Sequence, residues 1–222
     1  MSVIGLNNIL NDKELYEVSS EFVESKRILR KKAKSTLQEF PIDIQLKNYL
    51  IHILGEKEKL KTFINNLNIN SELLSKMDEA FIQTELDIII PFNNLNSTLK
   101  NLSKKYDLYL LSNNVSTILV IEILKKLNVT KYFKQIIVSK DIGYRKPHKL
   151  FLDHVIDKTN ISVNSSVMIG DRLTQDIKMA EDFGMQSVFV TIADHEDNNN
   201  ASGINYTYKI DDLKELNKIF LL

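Results

Sequence analysis

A chain of 222 residues with 29 Lys and Arg against 29 Asp and Glu, and with no Cys or Trp, is long enough for one main domain with a modest insertion. The absence of cysteine excludes disulfides, thiolate metal sites and cysteine nucleophiles, and a net charge of zero gives no overall pull toward nucleic acid or anionic membrane. No run approaches the ~18 apolar residues of a membrane span, and residues 1–10 lack the basic and apolar regions of a signal peptide, so a soluble, cytoplasmic protein is expected.

Hydrophobic content of 43% and charged content of 26% are those of a chain that folds. Over residues 14–40, Leu15, Val18, Phe22, Leu29, Ala33, Leu37 and Phe40 recur mostly at three- and four-residue steps without Gly or Pro. That spacing predicts an amphipathic helix or a pair of them, with Asp12 as N-cap. Helical pattern resumes after Pro41 through Leu50, Leu54, Leu60, Phe63 and Ile64, and again over 73–81 beyond the Asn-rich turn 65–70. The texture then changes. Short apolar runs at 108–111, 136–138, 167–169 and 187–190 alternate with helical runs at 115–127, 149–158 and 175–183, which predicts β-α-β units and a parallel sheet. A last weak strand, 206–210, leads into a short helix over 211–220. Residues 193–202, with three successive Asn, are expected to form a loose surface loop. The organisation is an α/β core, residues 1–12 and 89–222, interrupted by a helical insertion over 13–88.

Three segments follow predicted strands, at the carboxyl edge where open α/β sheets bind ligands. In the first, Ser112, Asn113 and Asn114 end an apolar strand and precede a helix; a Ser hydroxyl and free N–H groups there suit a phosphate oxygen, although taken alone the segment reads better as an unliganded helix cap. In the second, Lys146 precedes Pro147 at a helix entry, where its ammonium suits an anion, although most loop lysines are simply solvated. The third carries Gly170, Asp171 and Asp176 across the turn out of a strand. Paired carboxylates there suit a hard, oxygen-liganded cation such as Mg²⁺; alternatively Asp171 caps the next helix and Asp176 is a first-turn carboxylate.

In this order the three segments resemble motifs II, III and IV of the haloacid dehalogenase (HAD) superfamily of phosphohydrolases, and the helical insertion resembles the cap of the subfamily that includes β-phosphoglucomutase. The resemblance implies a Rossmann-like parallel sheet core with an all-helical cap inserted after the first strand. It further implies that Ser112 and Asn113 contact a phosphoryl group, that Lys146 neutralises it, and that Asp171, supported by Asp176, ligates Mg²⁺. The first motif departs from the pattern. Where the family has Asp-x-Asp-Gly-Thr-Leu, this chain has Gly5, Leu6, Asn7, Asn8, Ile9 and Leu10. Gly5 stands at the nucleophile, Asn7 at the general acid/base and Ile9 at the Thr. Glycine offers no atom for a covalent phosphoryl intermediate, and an amide exchanges no proton near neutrality. With those carboxylates gone, Mg²⁺ is expected to bind weakly or vestigially.

The expectation is therefore a pseudoenzyme, a binding or regulatory protein that takes a phosphorylated small molecule or a protein partner. The alternatives are an active hydrolase using a metal-activated water held by Asp171 and Asp176, and an interaction module acting through the cap. For the last, the basic run Lys26, Arg27, Arg30, Lys31, Lys32 and Lys34 offers a docking surface for an acidic protein partner, although such runs are most often solvated helix faces.

Overall fold

The computed structural model describes residues 6, 9–193, 195–199 and 201–221. The chain gathers into two compact units, Met1–Ile89 and Ile90–Leu222.

The first unit is helical. Helix α1 (Asp12–Thr36) opens with a reciprocal capping box: Asn11 Oδ1 accepts from Glu14 N at 3.0 Å, and Glu14 Oε2 accepts from Asn11 N at 3.1 Å. Asn11, rather than the expected Asp12, is thus the cap; Asp12 sits inside the first turn, where its carboxylate favours the positive end of the helix dipole. Leu37, at φ 54, stops the helix, and α2 (Ile42–Asn48) starts after Pro41. The helical pattern expected through Ile64 is not one smooth helix. A π-helical stretch, Tyr49–Ile53, and a 3-10 turn, Leu54–Glu56, carry the chain to α3 (Glu58–Asn66). Helix α4 (Ser71–Asp87) is capped by Asn70, whose Oδ1 accepts from Leu73 N at 2.9 Å, so the last Asn of the predicted turn has a structural use.

These helices enclose Val18, Tyr49, Leu50, Leu54 and Leu60, all essentially inaccessible to solvent. Full burial of such side chains contributes roughly 1.5–3 kcal/mol each. The Tyr49 ring meets Phe22 edge-on at 4.8 Å, and its hydroxyl donates to Val18 O at 2.6 Å. Burial pushes the Tyr49 phenol up from its usual value, with the Glu21 carboxylate adding to the effect. Leu6 and Leu10 are buried in the same cluster. Of residues 1–12, expected with the α/β core, Leu6 and Leu10 bury their side chains among these helices. The first strand itself, implied by the resemblance ahead of Gly5, lies outside the described residues.

The second unit holds all five described strands. After α5 (Leu95–Leu102), β1 (Leu108–Ser112) leads through α6 (Thr117–Lys126) to β2 (Phe133–Val138). The short α7 (Ser139–Ile142) and α8 (Lys149–Thr159) connect to β3 (Val167–Gly170). A π-helical stretch, Leu173–Ile177, and α9 (Lys178–Asp182) precede β4 (Gln186–Val190); α10 (Glu196–Asn199), β5 (Tyr208–Ile210) and α11 (Glu215–Phe220) complete the unit. Every pairing is parallel, but the described strands form two sheets, β1-β2 and β3-β4-β5, rather than one. The sheets share one core. Ile137 of β2 and Met168 of β3 belong to a single cluster with Phe151, Leu152 and Val155 of α8, so the apolar face of that helix covers both. Ser112 pairs with Val138, and Gly170 with Phe189, which places Ser112 and Gly170 at carboxyl ends of their strands. No helix among the described residues is long and apolar enough to cross a membrane.

Candidate functional site

The carboxyl ends of β1 and β3 open onto a pocket of ≈ 270 Å³. Ser112, Asn113, Lys146, Asp171 and Asp176, the site candidates read from the second unit's sequence, all line it. Gly170, Arg172 and Gln175 complete its polar wall.

The Lys146 loop is fixed by its own main chain. Gly143, at φ 83, ends α7 in the left-handed conformation that glycine adopts without a Cβ penalty. Asn113 then grips Lys146 from both sides, its Oδ1 accepting from Lys146 N at 2.8 Å and its Nδ2 donating to Lys146 O at 3.1 Å. The same Nδ2 donates to Gln175 Oε1 at 2.8 Å. The expected phosphate contact at Asn113 is therefore indirect on the side-chain level: its amide positions the lysine. The neighbouring Asn114 shapes the start of α6, its Oδ1 accepting from Ser116 N at 3.0 Å, while Ser116 Oγ caps Leu119 N.

Lys146 is 7% exposed and Asp176 6%. Burial at that level needs compensation. Lys146 Nζ donates to Asp176 Oδ1 at 2.6 Å and to Leu111 O at 2.6 Å. Asp176 Oδ2 accepts from Arg172 N at 3.2 Å. The π-helical stretch brings Asp176 back against the end of β3, and only glycine fits beneath it. A Cβ at position 170 would stand 2.3 Å from Asp176 Cβ, so Gly170 is a steric requirement of the ion pair.

Asp171 has a different set of partners. Its Oδ2 lies 2.6 Å from His195 Nε2; a carboxylate oxygen only accepts, so that ring nitrogen carries the hydrogen. Asn198 Nδ2 donates to Asp171 O at 2.8 Å, and Asn198 Oδ1 accepts from Leu173 N at 2.8 Å. Both residues come from the segment expected to be a loose loop. Within it Glu196–Asn199 form α10, and His195 and Asn198 tie down the turn after β3.

The pocket wall carries two formal cations, Lys146 and Arg172, and two carboxylates, Asp171 and Asp176. It is electrically balanced without a bound ion. Mg²⁺ takes six oxygens in near-octahedral array, commonly one or two carboxylates and several waters. Here Asp171 already accepts from His195, and Asp176 from Lys146 and Arg172 N. No group of three or more His, Cys, Asp or Glu side chains stands together for a metal among the described residues. This donor set does not fit a resident divalent cation while those contacts hold.

The remaining sequence candidates lie apart from this description. Gly5 and Asn7 are outside the described residues. Ile9, in the first unit, is 45% exposed in a turn whose N–H donates to Leu6 O at 3.0 Å. The basic run on α1 is not a uniform surface. Lys26 lies 4.7 Å from the Phe81 ring centre and is held below its usual pKa by burial and by Arg30; Arg27 pairs with Glu24 at 2.7 Å; Lys32 covers Phe40 at 5.4 Å. His195, Asn198 and Gln175 were not legible as site residues. His195 is one of four histidines, in an Asn-rich stretch with no periodicity to give it a place.

Comparison with known proteins places these observations. Glyceraldehyde 3-phosphate phosphatase of Methanocaldococcus jannaschii is 27% identical over 219 residues, 92% of each chain. The enzyme of the same name from Methanothermobacter thermautotrophicus is 31% identical over 139 residues, 60% of this chain and 59% of its own length. The match to the Bacillus subtilis protein YfnB, 32% identical over 119 residues, spans 49% of that relative. The chain thus spans half to three fifths of these last two relatives. Among solved structures, YfnB bound to magnesium superposes with a TM-score of 0.62 at 21% identity, covering 99% of this chain and 88% of that one. A 2-haloacid dehalogenase from Pseudomonas syringae gives 0.64 at 16% identity, covering 99% and 84%. Both show the fold. Residues 21–190 match the family of haloacid dehalogenase-like hydrolases, and with the motif residues gathered around one strand-end pocket, the chain belongs to that family.

Proposed function

We propose that this protein binds a small phosphorylated molecule at the Lys146 pocket and does not hydrolyse it by way of an aspartyl-phosphate. Gly5 carries this reading: the residue matching the family's nucleophile has no side chain to attack phosphorus. Asn7, at the acid/base position, has no proton to exchange near neutral pH, which removes a contribution worth about 10²–10⁴-fold. Ile9 replaces the hydroxyl of the same motif. Supporting the binding half, Lys146 has three ammonium hydrogens, and two have acceptors among the described residues. The third, with the Ser112 hydroxyl on the same wall, suits a phosphate oxygen. Two of the relatives named above are, by name, glyceraldehyde 3-phosphate phosphatases, and the Escherichia coli relative is, by name, a pyrimidine 5'-nucleotidase.

Calorimetric titration with inorganic phosphate, glyceraldehyde 3-phosphate and pyrimidine 5'-nucleotides tests this reading. Heat that saturates for the native protein and weakens in Lys146→Ala is expected. Silence across all three, or binding indifferent to Lys146→Ala, contradicts it. A second reading, an active phosphatase, is favoured by alignment with the M. jannaschii phosphatase across 92% of both chains. It requires a nucleophile other than the family's, such as a water activated by a metal at Asp171 and Asp176. The cap as a docking module is the third reading; Arg27, Arg30, Lys31, Lys32 and Lys34 of its basic run are exposed, while Lys26 is half-buried.

A further inference from the structure

Asp171 on the pocket wall meets a partner from a later stretch of chain, 24 residues on. His195 Nε2 and Asp171 Oδ2 are 2.6 Å apart, with the Asp171 side chain 41% exposed and the His195 side chain 21%. A second contact from the same segment holds the backbone: Asn198 bridges Asp171 O and Leu173 N. The two contacts together fix both the carboxylate and the turn that carries it. We infer that His195 is a positioning residue that occupies Asp171 in place of a divalent cation, so that a metal reaches this carboxylate only when the imidazole leaves it. The inference concerns Asp171 and His195 alone and stands whether or not the pocket binds a phosphorylated molecule.

The chemistry is a competition for one oxygen. A hard cation bound at Asp171 needs a carboxylate lone pair and room for its own waters. The ring hydrogen of His195 holds one such lone pair at a charge-assisted distance. Asp176 offers no easy substitute, since Lys146 and Arg172 N hold its oxygens.

Mn²⁺ serves as the probe, read by electron paramagnetic resonance of the free ion with the full-length protein. His195→Ala is expected to tighten Mn²⁺ binding about tenfold or more, the order of one hydrogen bond to a charged group that the cation no longer has to displace. His195→Gln, which can still donate to Asp171 Oδ2, is expected to stay near the native affinity, and Asp171→Asn in the His195→Ala background to abolish the gain. Asn198→Ala loosens the turn but leaves the imidazole, so its affinity should change less than that of His195→Ala. Circular dichroism of each variant identifies any that fails to fold, and the His195→Gln comparison then decides. Unchanged affinity in folded His195→Ala overturns the inference. Weakened binding in that variant overturns it too, because His195 would then be a ligand rather than a competitor.

Discussion

Replacing Lys146 by Met tests the buried ion pair directly, because Met keeps the length of the side chain and removes its charge. The native Lys146 and Asp176 side chains are both buried, and their charged groups meet at 2.6 Å. After the change, Asp176 retains Arg172 N at 3.2 Å, and Leu111 O loses its donor. Removing one partner of such a pair leaves an uncompensated charge away from water and costs about 3–5 kcal/mol. In a chain of this size that corresponds to a fall in melting temperature of roughly 6–20 °C. Asp176→Asn should cost a similar amount by stranding the ammonium. The double variant removes both charges while nearly preserving shape, so it should lose only about 1–3 kcal/mol, well short of the sum of the singles. Urea denaturation followed by circular dichroism measures all three. A Lys146→Met cost below ~1 kcal/mol, the scale of an exposed pair, or strictly additive single variants, would refute the reasoning.

Gly170→Ala adds a methyl where Asp176 Cβ stands 2.3 Å away; it should displace Asp176 and destabilise the protein by about 1–3 kcal/mol, with the loss largely absent when Asp176 is already replaced by Ala. Tyr49→Phe removes the bond to Val18 O and should cost about 0.5–1.5 kcal/mol in denaturant titration. Because the folded Tyr49 phenol is held above its usual value by burial, its contribution is present below the unfolded pKa of ~10 and is lost as pH rises past it; the native protein should weaken above that pH more steeply than Tyr49→Phe. The Glu181 carboxyl is held below its usual value by the Asn205 side-chain amide and then by the Asn205 backbone N–H. The sign is opposite: this tether is present above the ordinary carboxylate range and is lost as pH falls through the lowered value. The protection factor of the Asn205 amide should fall in acid, and Glu181→Gln should flatten that dependence.

The strand and helix alternation after residue 95 was legible because buried parallel strands read as short apolar runs with helical periods between them. The motif residues were legible because each follows such a run. Less could be read where structure depends on partners distant in sequence. Nothing local in Tyr49–Glu56 announces a π-helical stretch followed by a 3-10 turn. The role of Asn113 as the clamp on the Lys146 main chain depends on a residue 33 positions away. His195 and Asn198 belong to a polar, Asn-rich stretch that composition marks as loop, and only the folded chain brings them to Asp171. Gly170 was visible as the end of a strand, whereas its reason, the close approach of Asp176, was not.

Phosphate release from a panel of phosphomonoesters with Mg²⁺, at high protein concentration, tests the central claim most directly. The native protein would be compared with Asp171→Ala and with the triple variant Gly5→Asp/Asn7→Asp/Ile9→Thr. Native turnover no greater than that of Asp171→Ala, with release arising only in the triple variant, is the predicted result. Native turnover abolished by Asp171→Ala would contradict it and show that this pocket hydrolyses phosphate esters without an aspartyl nucleophile at position 5.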